Sequence, residues 1–159
     1  GLAVEMALNH FPPGAPLEIG ESEYPLRVRA FEMVRDSAGA GTFRGGLGYA
    51  REFEVLEDSV LTVRSSNHKI ASKGLAGGGS PRLSRVVVNP DGPSPEELGP
   101  LETRHLKAGD VIRFERSGGA GYGDPARRAR ESVADDVRNG YVSREAAMKV
   151  YGLNDPPEE

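Results

Sequence analysis

The side chains that could do chemistry in this 159-residue chain are few and scattered. It contains no cysteine, which excludes disulfides, thiolate catalysis and cysteine-ligated metal sites. Its three histidines, His10, His68 and His105, show no HExxH motif or other helical ligand spacing. No serine lies in a nucleophile-elbow motif. The residue types therefore predict no metal in this chain and leave its catalytic residues unknown.

Three side chains remain as candidate catalytic residues. Asp124 is presented by a glycine-rich loop, although an aspartate before Pro125 also suits a helix N-cap with proline at N1. His68 follows an apolar run among polar residues, and strand ends are where sites are often built. Arg44 could bind a carboxylate or phosphate with both arms of its guanidinium, or tie its own loop to a nearby carboxylate. For Asp124 and Arg44 the structural role is the favoured interpretation.

Glycines impose the strongest backbone constraint near Asp124. Four of them, Gly118, Gly119, Gly121 and Gly123, follow the apolar run 111–114. This density indicates positive φ or very close approach of the backbone to another group. The spacing is GxGxG rather than the GxGxxG of a dinucleotide-binding fold, and no lysine follows as in a P-loop. Tight backbone packing is therefore favoured over phosphate binding.

Hydrophobic periodicity predicts a mainly β (α+β) fold, an antiparallel sandwich or open barrel. A change of parity at Phe31 indicates a bulge or a strand that is buried on both sides. Residues 57–59 suggest a turn that joins two strands in a hairpin, 47–55 with 60–64. A further alternating run near the start of the chain favours a strand, with a short helix as its rival. The runs with strand character are 2–8, 26–33, 47–55, 60–64, 83–88, 101–106 and 111–114.

Two short helices are predicted near the C-terminus. Val133 and Val137 lie four apart on one face, and Gly140 is a plausible C′ residue. Ser143 is a suitable N-cap for the second helix, 144–151.

Composition restricts the class of protein. The net charge of −4 provides no basic footprint for nucleic acid and no polybasic membrane signal. No run approaches the roughly 18 apolar residues of a membrane span. We expect a cytoplasmic protein that binds neither nucleic acid nor membrane. Residues 1–153 are predicted to form one β-rich domain, and 154–159 a frayed tail.

Two other glycine-rich segments complete the pattern. The segment 35–48 reads RDSAGAGTFRGGLG, with Gly39, Gly41, Gly45, Gly46 and Gly48, and the segment 74–78 reads GLAGG. With 118–125, and with 136–143 and 150–152 behind it, these segments resemble, in the same order, the C-terminal end of the hydantoinase B family. That family includes the B subunits of ATP-dependent hydantoinases and the B half of 5-oxoprolinases.

The resemblance implies the C-terminal part of a hydantoinase B-type subunit of an ATP-dependent cyclic amidohydrolase, which opens hydantoin or 5-oxoproline. The expected partners are the remainder of the B subunit, a hydantoinase A-type subunit and a cyclic amide substrate. No cofactor is expected in this chain; ATP and a divalent metal are expected elsewhere in the complex, so the isolated chain should be inactive. Acetone and acetophenone carboxylases resemble the same family, so a subunit of such a complex is the alternative. A non-catalytic assembly module is a third possibility. Around Asn67, Ala71 and Ser72 the chain departs from the family pattern of an arginine and a proline pair, so no role is transferred to this loop.

Overall fold

The computed structural model describes residues 17–158. The predicted strand 2–8 and His10 therefore lie outside the described residues. Seven strands and three short helices are present in this part of the chain, with a 3₁₀ turn at Pro125–Arg127. The helices are α1 (Leu17–Glu23), α2 (Arg130–Arg138) and α3 (Arg144–Lys149). The strands are β1 (Leu26–Met33), β2 (Tyr49–Val55), β3 (Ser59–Arg64), β4 (Arg85–Val88), β5 (Glu96–Leu98), β6 (Leu101–Leu106) and β7 (Val111–Glu115).

The strands form an open, two-layer antiparallel sandwich, which confirms the predicted fold class. Five strands pair in the order β1-β2-β7-β4-β5, and β3 pairs with β6 in the second sheet. The facing sides of the two sheets enclose the main core, because inward positions alternate with outward ones along each strand. Its buried members are Val55, Val63, Val86, Val88, Leu98, Leu106 and Ile112.

The other side of the large sheet is covered by ion pairs. Arg113 donates to Glu32 at 2.6 Å and to Glu115 at 3.0 Å, and it lies 3.4 Å from a carboxylate oxygen of Glu52. These partners lie on three different strands, so one guanidinium links β1, β2 and β7. Glu52 is only 8% exposed, and a buried carboxylate requires such a partner. This network of ion pairs explains how a sheet with a polar outer side remains ordered.

The predicted hairpin is wrong, because β2 and β3 belong to different sheets. The corner between them packs against the turn that precedes β7. There Asp58 accepts hydrogen bonds from Lys107 Nζ at 2.6 Å and from the Ala108 backbone at 3.1 Å. The chain thus crosses to the second layer instead of folding back. The bulge in β1 is confirmed by a register shift between Val28 and Ala30, whereas α1 and β5 were not predicted.

The two C-terminal helices form as predicted. Gly140 follows the C-cap of α2 with φ of 70°, a conformation that glycine adopts without strain. The hydroxyl of Ser143 accepts from the backbone of Ala146 at 3.1 Å and caps α3. The predicted tail contacts α3, because the side chain of Arg144 donates to the carbonyl of Pro157 at 3.1 Å. Across residues 17–158 no helix has the length and apolar character needed to cross a membrane. A second small core joins the helices, formed by Val133, Val137, Val142, Ala147 and Tyr151.

Candidate functional site

Three glycine-rich segments that lie far apart in the sequence meet in one place. We call this place the glycine junction: residues 37–48, 74–79 and 117–124. Backbone hydrogen bonds connect every pair of segments, so the junction is an irregular three-stranded contact rather than three separate loops. The bonds include Gly39 N to Gly119 O (2.8 Å), Gly79 N to Ala40 O (2.7 Å), Gly121 N to Gly79 O (3.0 Å) and Gly123 N to Leu75 O (2.9 Å).

Close approach of the backbones explains why glycine occupies these positions. A Cβ atom built on Gly121 would lie 1.9 Å from the carbonyl oxygen of Ala40, and one on Gly45 would lie 2.0 Å from that of Gly119. Gly123 is different, because its φ of 76° favours glycine by itself. A Cβ on Gly119 would meet its nearest atom at 3.2 Å, which is tight but far less severe. This geometry is that of backbone packing and includes no phosphate cradle.

Arg44 is anchored to helix α2. Its Nε and Nη2 atoms each lie 3.0 Å from an oxygen of Asp136, a bidentate pair. Arg128 donates to the same carboxylate at 2.9 Å. The three side chains are at most 15% exposed. Arg44 therefore fixes the first glycine segment to the C-terminal helices, and its guanidinium is occupied by a structural partner.

Asp124 is the last residue of the third glycine segment and the N-cap of the 3₁₀ turn that follows. Its Oδ1 accepts a hydrogen bond from the backbone of Ala126 at 2.9 Å, at the start of the 3₁₀ turn. Its backbone carbonyl accepts from the hydroxyl of Thr42 at 2.7 Å. The carboxylate is exposed, and its observed contact is that of an N-cap residue.

His68 lies in the turn after β3 and lines a cavity of about 280 Å³ between the two sheets. Both ring nitrogens are buried and have no hydrogen-bond partner within residues 17–158. Burial lowers the pKa of His68 below its ordinary value; the nearby Glu97 opposes this shift and Arg116 adds to it. A neutral imidazole facing a cavity has an unused donor and an unused acceptor.

The three candidate residues thus lie in three different places and form no common catalytic arrangement. Across the part of the chain that the structure describes, no group of three or more histidine, aspartate or glutamate side chains could hold a metal ion. Sequence reasoning missed Asp136, although a signal was present. It lies on the apolar face of α2 beside Val133 and Val137, and all three are buried. An aspartate on such a face indicates a buried cationic partner.

Comparison with known proteins gives a consistent result. The model of the Hydantoinase B/oxoprolinase family matches residues 8–125. The B component of a putative D-/L-hydantoinase from Pseudomonas sp. (strain NS671) is 33% identical, and the match covers 87% of this chain and 24% of that protein. The beta component of caprolactamase from Pseudomonas jessenii is also 33% identical, with 96% of this chain and 29% of the relative covered. 5-Oxoprolinase 1 from Arabidopsis thaliana is 31% identical over 67% of this chain and 8% of its own length.

Solved structures show the same fold. The crystal structure of ATP-dependent caprolactamase from Pseudomonas jessenii aligns with a TM-score of 0.72 and 30% identity over 86% of this chain and 24% of its own. Nucleotide-free acetone carboxylase aligns with a TM-score of 0.75 and 24% identity over 87% of this chain and 23% of its own. This chain spans about a quarter of the length of the hydantoinase and caprolactamase relatives that it matches.

Proposed function

This chain belongs to the Hydantoinase B/oxoprolinase family, and from that premise we propose that it is the C-terminal portion of a hydantoinase B-type subunit that takes part in ATP-dependent opening of a cyclic amide. The proposal rests on the family match, which covers all three glycine segments of the junction. Hydantoin, caprolactam and 5-oxoproline, from which three relatives take their names, are all cyclic amides.

The chain's own role in this proposal is structural. Arg44 and Asp124 make structural hydrogen bonds. Within residues 17–158, His68 has no hydrogen-bond partner of the kind that a catalytic triad requires and belongs to no group of metal-ligating side chains. We assign the catalytic residues, a divalent metal and ATP to the remainder of the B-type subunit and to an A-type subunit. The absence of cysteine suits a reducing cytoplasm, where we place the complex.

An exposed apolar patch on the glycine junction supports assembly with the rest of such a subunit. Phe43, Leu75 and Tyr122 are 67%, 66% and 55% exposed, and each comes from a different segment of the junction. Tyr122 forms isolated bridges with both of the other residues, and its ring centroid lies 6.3 Å from that of Phe43. Contiguous apolar surface of this kind is typical of a contact with another protein surface. We propose that it packs against the remainder of the B-type subunit.

The proposal is tested by reconstituting the complex and assaying it with several substrates. The chain is combined with the remainder of its B-type subunit and with the matching A-type subunit, and ATP hydrolysis is measured with hydantoin, 5-oxoproline or caprolactam. Acetone with bicarbonate is tested in parallel, because the acetone carboxylase alpha subunit is 25% identical over 95% of this chain. Ring opening coupled to ATP hydrolysis supports the proposal, and bicarbonate-dependent use of acetone alone would replace it with the carboxylase function.

A further inference from the structure

The cavity between the two sheets combines apolar and basic side chains. Its walls include the apolar side chains of Phe53, Phe114 and Val86. Its polar side chains include His68, Arg51 and Arg116. At about 280 Å³ it is close to the lower end of the range for small-molecule sites.

Arg51 forms no ion pair within the described residues. Its guanidinium lies 4.7 Å from the ring centroid of Phe31 and 5.4 Å from that of Tyr49, so aromatic rings fix its position. The Nε atom is buried and has no hydrogen-bond partner within residues 17–158. A buried donor without a partner costs free energy, unless a ligand or a water molecule accepts its hydrogen bond.

Arg116 lies beside Arg51 at the same end of the sheet. In the β2–β7 register Arg51 is opposite Phe114, and the backbone N–H of Arg116 donates to the carbonyl of Tyr49 at 2.8 Å. The two arginines are therefore diagonal neighbours on one face, a separation that long side chains can bridge. Arg116 is also close enough to His68 to affect the pKa of its imidazole. Arg64 and Arg85 line the same cavity, so five nitrogen-bearing side chains surround it.

No carboxylate within the described residues neutralises this pair of arginines by an ion pair. Glu115 contributes to the wall, but its carboxylate lies within ion-pair distance of Arg113, Arg82 and Arg85. The cavity consequently combines aromatic side chains with three guanidinium groups that form no ion pair within residues 17–158, those of Arg51, Arg64 and Arg116.

We propose that this cavity binds the carboxylate group of a small organic acid whose apolar body packs between the sheets. Arg51 and Arg116 bind the carboxylate oxygens, because a guanidinium matches a carboxylate in planar geometry and charge. His68 donates one further hydrogen bond from the wall. Phe53 and Phe114 contact the apolar body. This site does not depend on the proposed cyclic amide reaction.

The test compares phenylacetate with phenylacetamide, which has the same shape and no charge, at constant ionic strength. Both have about ten non-hydrogen atoms, which suits a cavity of this size. Isothermal titration calorimetry measures their dissociation constants with the 159-residue chain. NMR follows the titration of the His68 ring, whose pKa should rise when an anion binds beside it. We expect phenylacetate to bind at least about 10-fold more tightly than the amide, the factor that one charged hydrogen bond contributes.

Matched variants separate the site from the fold. Arg116→Gln changes an exposed side chain and should leave the melting temperature unchanged. It should raise the dissociation constant of phenylacetate by about 10-fold or more. Arg127→Gln, an exposed arginine outside the cavity, should bind like the wild type. Equal affinity for acid and amide, wild-type binding by Arg116→Gln, no binding of phenylacetate at millimolar concentration, or an unchanged pKa of His68 would each overturn the proposal. Preferential binding of inorganic phosphate would overturn the assignment of a carboxylate.

Discussion

Replacing Gly121 by alanine tests most sharply how the glycine junction is held together. The added Cβ would lie 1.9 Å from the carbonyl oxygen of Ala40 and 2.8 Å from that of Gly39. Both neighbours are backbone atoms, so no side chain can rotate away. The first or third segment of the junction must move by more than about 1 Å to restore ordinary contact distances.

The cost follows from the bonds that such a shift disturbs. Gly121 donates to Gly79 at 3.0 Å and accepts from Leu75 at 3.1 Å, while Ala40 accepts from Gly79 at 2.7 Å. Overpacking of a dense region costs about 1–3 kcal/mol, and loss of two backbone hydrogen bonds adds about 1 kcal/mol each. We expect Gly121→Ala to lower the free energy of unfolding by about 3–5 kcal/mol, or the melting temperature by roughly 10 °C.

Gly119→Ala is the matched control, because its Cβ would meet the Gly46 nitrogen at 3.2 Å. This variant should lose no more than about 1 kcal/mol. Chemical denaturation followed by circular dichroism measures both variants without any ligand. A Gly121→Ala protein as stable as the wild type, or an equal loss in Gly119→Ala, would refute the packing argument.

Four further predictions concern single side chains. Asp124→Ala should lose about 1 kcal/mol in urea denaturation and Asp124→Asn only a few tenths, as for an N-cap residue; full activity of a complex containing Asp124→Asn would remove Asp124 from the catalytic candidates. Arg44→Met should cost about 1.5–3 kcal/mol by the same assay, because it removes the hydrogen bonds of Arg44 to the buried carboxylate of Asp136, which keeps Arg128 as its partner. The pKa of His68 is lowered on folding, so stability is complete above the unfolded pKa and falls as pH drops below it; thermal melts of His68→Gln should lack this dependence between pH values near about 5 and 7. Tyr122→Lys should leave the melting temperature unchanged and weaken co-purification with the rest of the subunit; unchanged co-purification would exclude the patch from the interface.

Much of the fold could be predicted because side-chain alternation reports which face of a strand is buried. It does not report which strand lies alongside. The polar corner at Asp58 resembles a hairpin turn in sequence, yet its carboxylate binds Lys107 from a distant turn. The pairing of β3 with β6, from Ser59 opposite Leu106 to Arg64 opposite Leu101, is likewise a long-range contact that alternation does not encode. Short strands such as β5, Glu96–Leu98, carry too few residues for any period to be recognised.

The candidate site was less predictable for the same reason. The glycine spacing indicated tight backbone packing, but the partner of each glycine lies in another segment of the junction. Arg44 and Asp136 are 92 residues apart, so their pairing could not be derived from spacing. Arg51 was not selected, although alternation places it on the same side of β2 as Tyr49 and Phe53. In the structure it lies on the inward face, held between aromatic rings.

The most direct test of the proposed function is an omission experiment on the reconstituted complex. ATP-dependent opening of a cyclic amide is assayed with the A-type subunit, the remainder of the B-type subunit and this chain, and again with each component left out. We expect turnover only when all three are present, and none by the 159-residue chain alone. Turnover by the isolated chain, or full turnover in its absence, would contradict the proposal.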